Sequence, residues 1–163
     1  MRYLSLTLAV LLAACGGNGE RPNINIGAPA PKFEAHYLND QQASFPEAFT
    51  QKPLVIRFWA DYCKYCEGEM KAIERVYLRH KEEGLIILAI NTGQDKATAL
   101  AFMDKLGVSY PALLDEHSQI GKQFGVVALP TTFFVDRKGS IQAKIVGESD
   151  ETTFERHAVS LLK

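Results

Sequence analysis

Two short, almost wholly apolar runs constrain this chain more than anything else in it: Leu54-Val55-Ile56-Arg57-Phe58-Trp59 and Leu85-Ile86-Ile87-Leu88-Ala89-Ile90. Runs of this length and β-branched content are those of strands buried on both faces, the situation of a central parallel strand. Between them Met70, Ile73, Val76 and Tyr77 recur at helical spacing, while Glu67, Lys71, Glu74 and Arg75 take the opposite side. That helix is predicted to run to about His80 or Lys81, with Gly84 supplying the stop. Strand, crossover helix and parallel strand make a right-handed βαβ unit.

The first strand enters the helix through Trp59-Ala60-Asp61-Tyr62-Cys63-Lys64-Tyr65-Cys66. Cys63 falls at or before the first turn and Cys66 one turn on, so the two sulfurs are neighbours able to close a small disulfide. The free N–H groups and positive dipole end of the helix favour an anion there, and Cys63 gains most from them. Cys63 is the expected nucleophile and Cys66 the resolving thiol.

On the N-terminal side, Phe33, Ala35 and Tyr37 alternate with polar residues before an Asn39-Asp40 turn, and Ala43 to Phe45 returns as a hairpin. Pro46 to Phe49 reads as a short helical turn. Asp95 to Leu106 offers a further helix with Ala97, Leu100, Ala101 and Met103 inward, stopped by Gly107. Tyr110 to Leu114 reads as an edge-like segment, and His117 to Phe124 as a short helix ended by Gly125. Thr132 to Val135, an Asp136–Gly139 turn, and Ile141 to Val146 form a hairpin with Ile141, Ala143 and Ile145 on one face. A last helix carries Phe154, Ala158, Leu161 and Leu162. The sum is an α/β chain, βαβ followed by ββα with a β-hairpin extension at the N-terminal side, a three-layer α/β/α sandwich.

The first residues read as a processing signal: Arg2 is basic, Tyr3 to Ala14 is nearly all apolar, and small residues precede Cys15. The run is shorter than the ~20 apolar residues of a spanning helix. Residues 16–28, rich in Gly and Asn, have the composition of a flexible tether. The expected organisation is a signal peptide over 1–14, a tether over 15–28 and one domain over 29–163. A formal net charge of -1 gives no electrostatic case for nucleic acid or an anionic membrane surface. His36, His80, His117 and His157 make no ligand spacing with the cysteines, so no metal site is expected.

Several motifs in sequence order carry a family resemblance. Gly27 to Phe33 is similar to a G-x-x-A-P-x-F opening, Phe58 to Cys66 to F-W-A-x-W-C-x-x-C, and Gly125 to Gly139 to G-V-x-x-x-P-T-T-F-x-x-D-x-x-G. Together they resemble the thioredoxin superfamily, and within it the membrane-anchored thiol-disulfide oxidoreductases of the TlpA, ResA and DsbE type, which implies that Asp95 to Gly107 is a central inserted helix relative to plain thioredoxin. Leu12-Ala13-Ala14-Cys15 likewise resembles the lipobox of bacterial lipoproteins, which implies lipidation of Cys15 after cleavage and leaves a single cysteine pair. The resemblance implies that Pro130 is cis and faces the cysteines, that Leu129 and Thr131 beside it bind an extended partner segment, and that Glu69 manages protons at the pair. With the lipobox it implies a domain outside the cytoplasm, lipid-anchored at the periplasmic side of a bacterial membrane, the outer membrane being an alternative; a monomer is expected. A membrane thiol donor of the DsbD or CcdA type would re-reduce it, with apocytochrome c the expected client and oxidised periplasmic or surface enzymes the alternatives.

Trp59, Lys64 and Tyr65 are expected to modulate the pair, with Lys64 favouring the Cys63 thiolate while Glu67 and Glu69 oppose it. Two residues depart from the family pattern: Tyr62 stands where a second tryptophan is usual, and Arg57 puts a charge into a strand buried on both faces. Such a charge needs a partner, and Glu69 is the candidate. Arg57 is then expected near Cys66, favouring its thiolate or holding Glu69 ionised, against an arginine reaching out of the sheet edge. The function read from all this is reduction of protein disulfides through Cys63 and Cys66, with no metal or organic cofactor. The rivals are a disulfide oxidase or isomerase, since direction follows reduction potential, a copper chaperone using the thiolate pair, and a thiol peroxidase, for which the usual P-x-x-x-T-x-x-C setting is absent.

Overall fold

The computed structural model describes residues 24–163; the expected signal peptide, Cys15 and most of the expected tether lie outside the described residues. The elements run β1 (Phe33–Tyr37), β2 (Gln42–Phe45), β3 (Leu54–Trp59), α1 (Cys66–His80), β4 (Ile86–Thr92), α2 (Lys96–Leu106), β5 (Ala112–Asp115), α3 (Gln119–Gln123), β6 (Thr131–Val135), β7 (Ile141–Val146) and α4 (Glu151–Ser160). Short 3₁₀ turns at Glu47–Phe49 and Lys81–Glu83 complete them. The strands form one sheet in the order β2-β1-β5-β4-β3-β6-β7. β3, β4 and β5 are parallel, while β1 and β6 are antiparallel to their neighbours.

Every residue of β3 is buried, as its composition demanded. Leu54, Ile56 and Phe58 point into an aromatic cluster with Phe33, Phe124 and Phe133. Val55 and Trp59 point the other way, into a core built with Met70, Ile73 and Val76 of α1 and with Phe154 and Ala158 of α4. Helices α1, α2 and α4 therefore cover one face and α3 the other, the layered α/β/α arrangement read from the sequence.

Three local readings are corrected. The Tyr110–Leu114 stretch is not at an edge, because β5 lies between β4 and β1 once the N-terminal hairpin pairs onto it. In α2 the buried positions are Ala99, Phe102, Met103 and Leu106, whereas Ala97 and Ala101 are exposed and Leu100 is half-buried. The bulky side chains set the rotation: Phe102 stacks on Trp59 at 5.1 Å between ring centroids, a contact no alanine can match. On β7 a register shift beside Phe134 and Val135 puts Ile141 on the opposite face from Ala143 and Ile145.

Helices α1 and α4 are laced by exposed charges. Arg75 and Arg79 bind Glu151, and Arg79 also binds Glu155. His80 lies between Glu83 at 2.7 Å and Glu155 at 2.8 Å, so both ring nitrogens donate when the imidazole is charged. The Glu155 hydrogen bond is the main cause raising the His80 pKa, and the partners Arg75 and Arg79 lower that of Glu151 as Arg79 and His80 lower that of Glu155. A histidine with a raised folded-state pKa contributes stability that is complete below its unfolded value and lost as pH climbs through the folded one. The glutamates contribute above their unfolded values and lose it as pH falls through their depressed ones. Urea midpoints are therefore expected to decline from mildly acidic pH towards pH 8, and His80→Asn to flatten that decline. Solvent screening keeps the amplitude small, and an unchanged slope in the variant would refute the assignment.

Candidate active site

The parallel strands β3 and β4 end at the same edge of the sheet, where loops of α/β proteins gather their functional groups. After Trp59 the chain makes a turn closed by Cys63 N–H donating to the Ala60 carbonyl at 3.2 Å. A second turn follows, Cys66 N–H to Cys63 carbonyl at 3.0 Å, and α1 starts at Cys66. Cys63 and Cys66 are joined as a disulfide with their Cα atoms 5.4 Å apart. Cys66 is fully enclosed, whereas Cys63 retains 8% exposure and lines a groove of about 570 Å³. The pair is thus asymmetric, with the outward sulfur on the residue expected to be the nucleophile.

The Lys64 and Tyr65 N–H groups make no hydrogen bond among the described residues and sit just ahead of the helix. Together with the dipole of α1 they are positioned to favour negative charge at Cys63. The two opposing carboxylates are each occupied. Glu67 is bound by Lys71 at 3.0 Å and Lys105 at 2.7 Å, which lower its pKa, and Glu69 is bound by Arg57. Lys64 lies over the ring of its neighbour Tyr65, 5.2 Å from the centroid.

Across the groove from Cys63 stand Val126, Val127, Ala128 and Leu129. Val127 is 89% exposed and Tyr62 72%, an unusual display of large apolar side chains on either side of one sulfur. The Leu129–Pro130 peptide is cis, the isomer implied by the resemblance. Pro130 is buried, and its carbonyl accepts from Gly147 N–H at 2.8 Å. Leu129 leaves both its N–H and its C=O unpaired among the described residues. The Thr131 hydroxyl donates to the Ala128 carbonyl at 2.7 Å, so it shapes this loop from beneath. Trp59 is wholly buried, behind the cysteine turn rather than at its rim.

A model of the AhpC/TSA family matches residues 26–144 of the sequence. The chain belongs to that family. Among individual proteins, the thiol-disulfide oxidoreductase ResA of Geobacillus kaustophilus is 31% identical over 160 residues, spanning 94% of this chain and 91% of that protein. The ResA of Halalkalibacterium halodurans is 33% identical over 154 residues, 91% of this chain and 87% of that one. In three dimensions the chain is similar to a Chlorobium tepidum protein described as thiol:disulfide interchange protein DsbE, with a TM-score of 0.80 at 22% identity over 85% of this chain and 99% of the other. The placement within the thioredoxin superfamily, in its ResA and DsbE group, holds. This AhpC/TSA-family member is a thioredoxin-like thiol-disulfide oxidoreductase.

The family member carries its unusual arginine in the middle of β3. Arg57 has no solvent exposure and holds Glu69 with two parallel bonds, 3.0 and 2.9 Å, and Thr132 Oγ1 with a third at 3.0 Å. Ser149, at the start of the α4 approach, donates from its N–H at 3.2 Å and its hydroxyl at 2.9 Å to the same Glu69 oxygen. Arg57 therefore stays inside, and the expected partnership with Glu69 is made in a fully buried geometry. Glu69 lies one turn past Cys66 on the same inward side of α1. Sequence reasoning passed over Ser149, Asp61, Asn91 and Gln94. The last two sit where β4 ends at the cysteine edge of the sheet, and that position was the available signal. Among the described residues no three His, Cys, Asp or Glu side chains are grouped to hold a metal ion.

Proposed function

We propose that this protein reduces disulfides of client proteins outside the cytoplasm, with Cys63 as the attacking thiolate. The observation that carries the reading is the asymmetric pair at the groove: the outward sulfur of Cys63 faces Leu129, whose backbone is free to pair. An extended client segment adds to Leu129 as a short strand and presents its disulfide to Cys63. The Cys63 thiolate attacks one client sulfur, the client S–S bond breaks, and the departing client thiolate takes a proton. Cys66, deprotonated, then attacks Cys63 Sγ, closes the intramolecular disulfide and expels the second client thiolate. Two electrons pass from protein to client in each cycle.

Lys64 and Tyr65 tune the pair from between the cysteines, Trp59 supports their turn, and Glu69 with Arg57 holds the first turn of α1. The lipobox-like Leu12–Cys15 supports anchoring through a lipidated Cys15, with the 15–28 segment as tether. The motif resemblance to ResA- and DsbE-type proteins supports a membrane thiol donor of the DsbD or CcdA type and apocytochrome c as a client class. The test is capture: in Cys66→Ser the second step is blocked, so a mixed disulfide through Cys63 accumulates in cells kept reducing at this protein. Failure to capture any protein thiol partner would overturn the exchange reading. A measured reduction potential near those of strong disulfide oxidants would reverse the direction of electron flow.

A further inference from the structure

We propose that Gln94 is a positioning residue for the nucleophilic cysteine, clamping the turn on which Cys63 is mounted; the inference rests on the exchange reading above. Gln94 lies between β4 and α2, in the segment that leads into the inserted helix. Its Oε1 accepts from the Asp61 backbone N–H at 2.9 Å and from Asn91 Nδ2 at 2.9 Å, and its Nε2 donates to Asp61 Oδ1 at 2.5 Å. Asn91 is fully buried and paired in register with Trp59, so the clamp is mounted on the rigid centre of the sheet. Asp61 is the second residue of the Ala60–Cys63 turn.

One side-chain amide thus grips both the main chain and the side chain of the turn. In the oxidised protein the disulfide already fixes the turn, so the clamp's hydrogen bonds form there with no further loss of chain freedom. Once the disulfide opens, Cys63 is kept beside Cys66 by its packing and by the hydrogen bonds of its turn, of which the clamp supplies two. Its work falls in the reduced protein and in the mixed disulfide. There it keeps Cys63 Sγ within reach of Cys66, and intramolecular attack gains from that proximity. Losing the clamp makes ring closure less favourable and slower.

The test uses the full chain in glutathione buffers, with a preformed mixed disulfide between Cys63 and glutathione. Gln94→Ala is expected to lower the equilibrium constant for closing the Cys63–Cys66 disulfide, and to lengthen the life of the mixed disulfide, each by about five- to tenfold for two lost hydrogen bonds. Gln94→Glu, which sets a carboxylate against that of Asp61, is expected to do at least as much, and Asp61→Asn in the same chain restores a donor and reverses most of the effect. Thermal melts of both redox forms separate positioning from general stability. By linkage, a lower closure constant requires the oxidised form to lose more stability than the reduced form, whose freed turn regains chain entropy, whereas equal destabilisation of both forms leaves that equilibrium unmoved and overturns the proposal. Closure constants within twofold of wild type in both single variants, or no reversal by Asp61→Asn, overturn it as well. If the wild-type protein itself fails to exchange with glutathione disulfide, the exchange reading fails instead.

Discussion

Replacing Cys63 with serine is expected to abolish disulfide exchange, while replacing Cys66 leaves one fast half-reaction intact. The difference follows from burial. Cys63 is the sulfur that lines the groove, next to the unpaired N–H groups of Lys64 and Tyr65 at the start of α1, whereas Cys66 is enclosed beneath it. In Cys66→Ser, Cys63 should still attack a disulfide in a single turnover and then stall as a mixed disulfide. In Cys63→Ser the remaining thiol lies inside the fold, and its alkylation under native conditions should be slower by tenfold or more, on the principle that reaction requires an exposed thiolate. Mass spectrometry after timed alkylation reads both variants. Equal alkylation rates for the two single-cysteine proteins would refute the assignment of nucleophile and resolving thiol.

The same asymmetry shows which parts of the site the sequence exposes to reading and which it hides. The β3–turn–α1 unit was legible because its signals are local: an apolar run, two cysteines one turn apart, then an amphipathic period. The gross layers followed, since strands buried on both faces require helices on both. The rotation of α2 was misread because small alanines and the large Phe102 compete for the same period, and the contact that decides it, Phe102 on Trp59, joins residues far apart in the chain. β5 was misplaced for a related reason, its neighbour β1 being set by a pairing across some 75 residues. Gln94 was passed over because an amide in a loop has no periodicity, and its place at the end of β4 is the one signal it carries. Only the adjacency of the β3 and β4 ends makes it meaningful.

Arg57 was the exception: its local context alone demanded a partner, and Glu69 is that partner. The prediction it carries is large. Both side chains lie in the interior, at 0% and 5% exposure, and the carboxylate receives two bonds from the guanidinium and two from Ser149. Removing one member leaves the other charge without its counter-ion in the core, so Arg57→Met should cost about 3–5 kcal/mol in urea unfolding. Arg57→Met combined with Glu69→Leu should cost less than Arg57→Met alone, because the desolvation of both charges is then avoided, an outcome simple loss of packing would not give. A single variant within about 1 kcal/mol of wild type, the range of an exposed pair, would sink this account. The pair also ties the first turn of α1 to β3, β6 and the approach to α4, and Cys66 opens that same turn. Cys66 should then titrate differently in Arg57→Gln than in the wild type, with the reduction potential moving in step. If both stay fixed while stability falls, the arginine anchors the helix and takes no part in setting the redox chemistry above it.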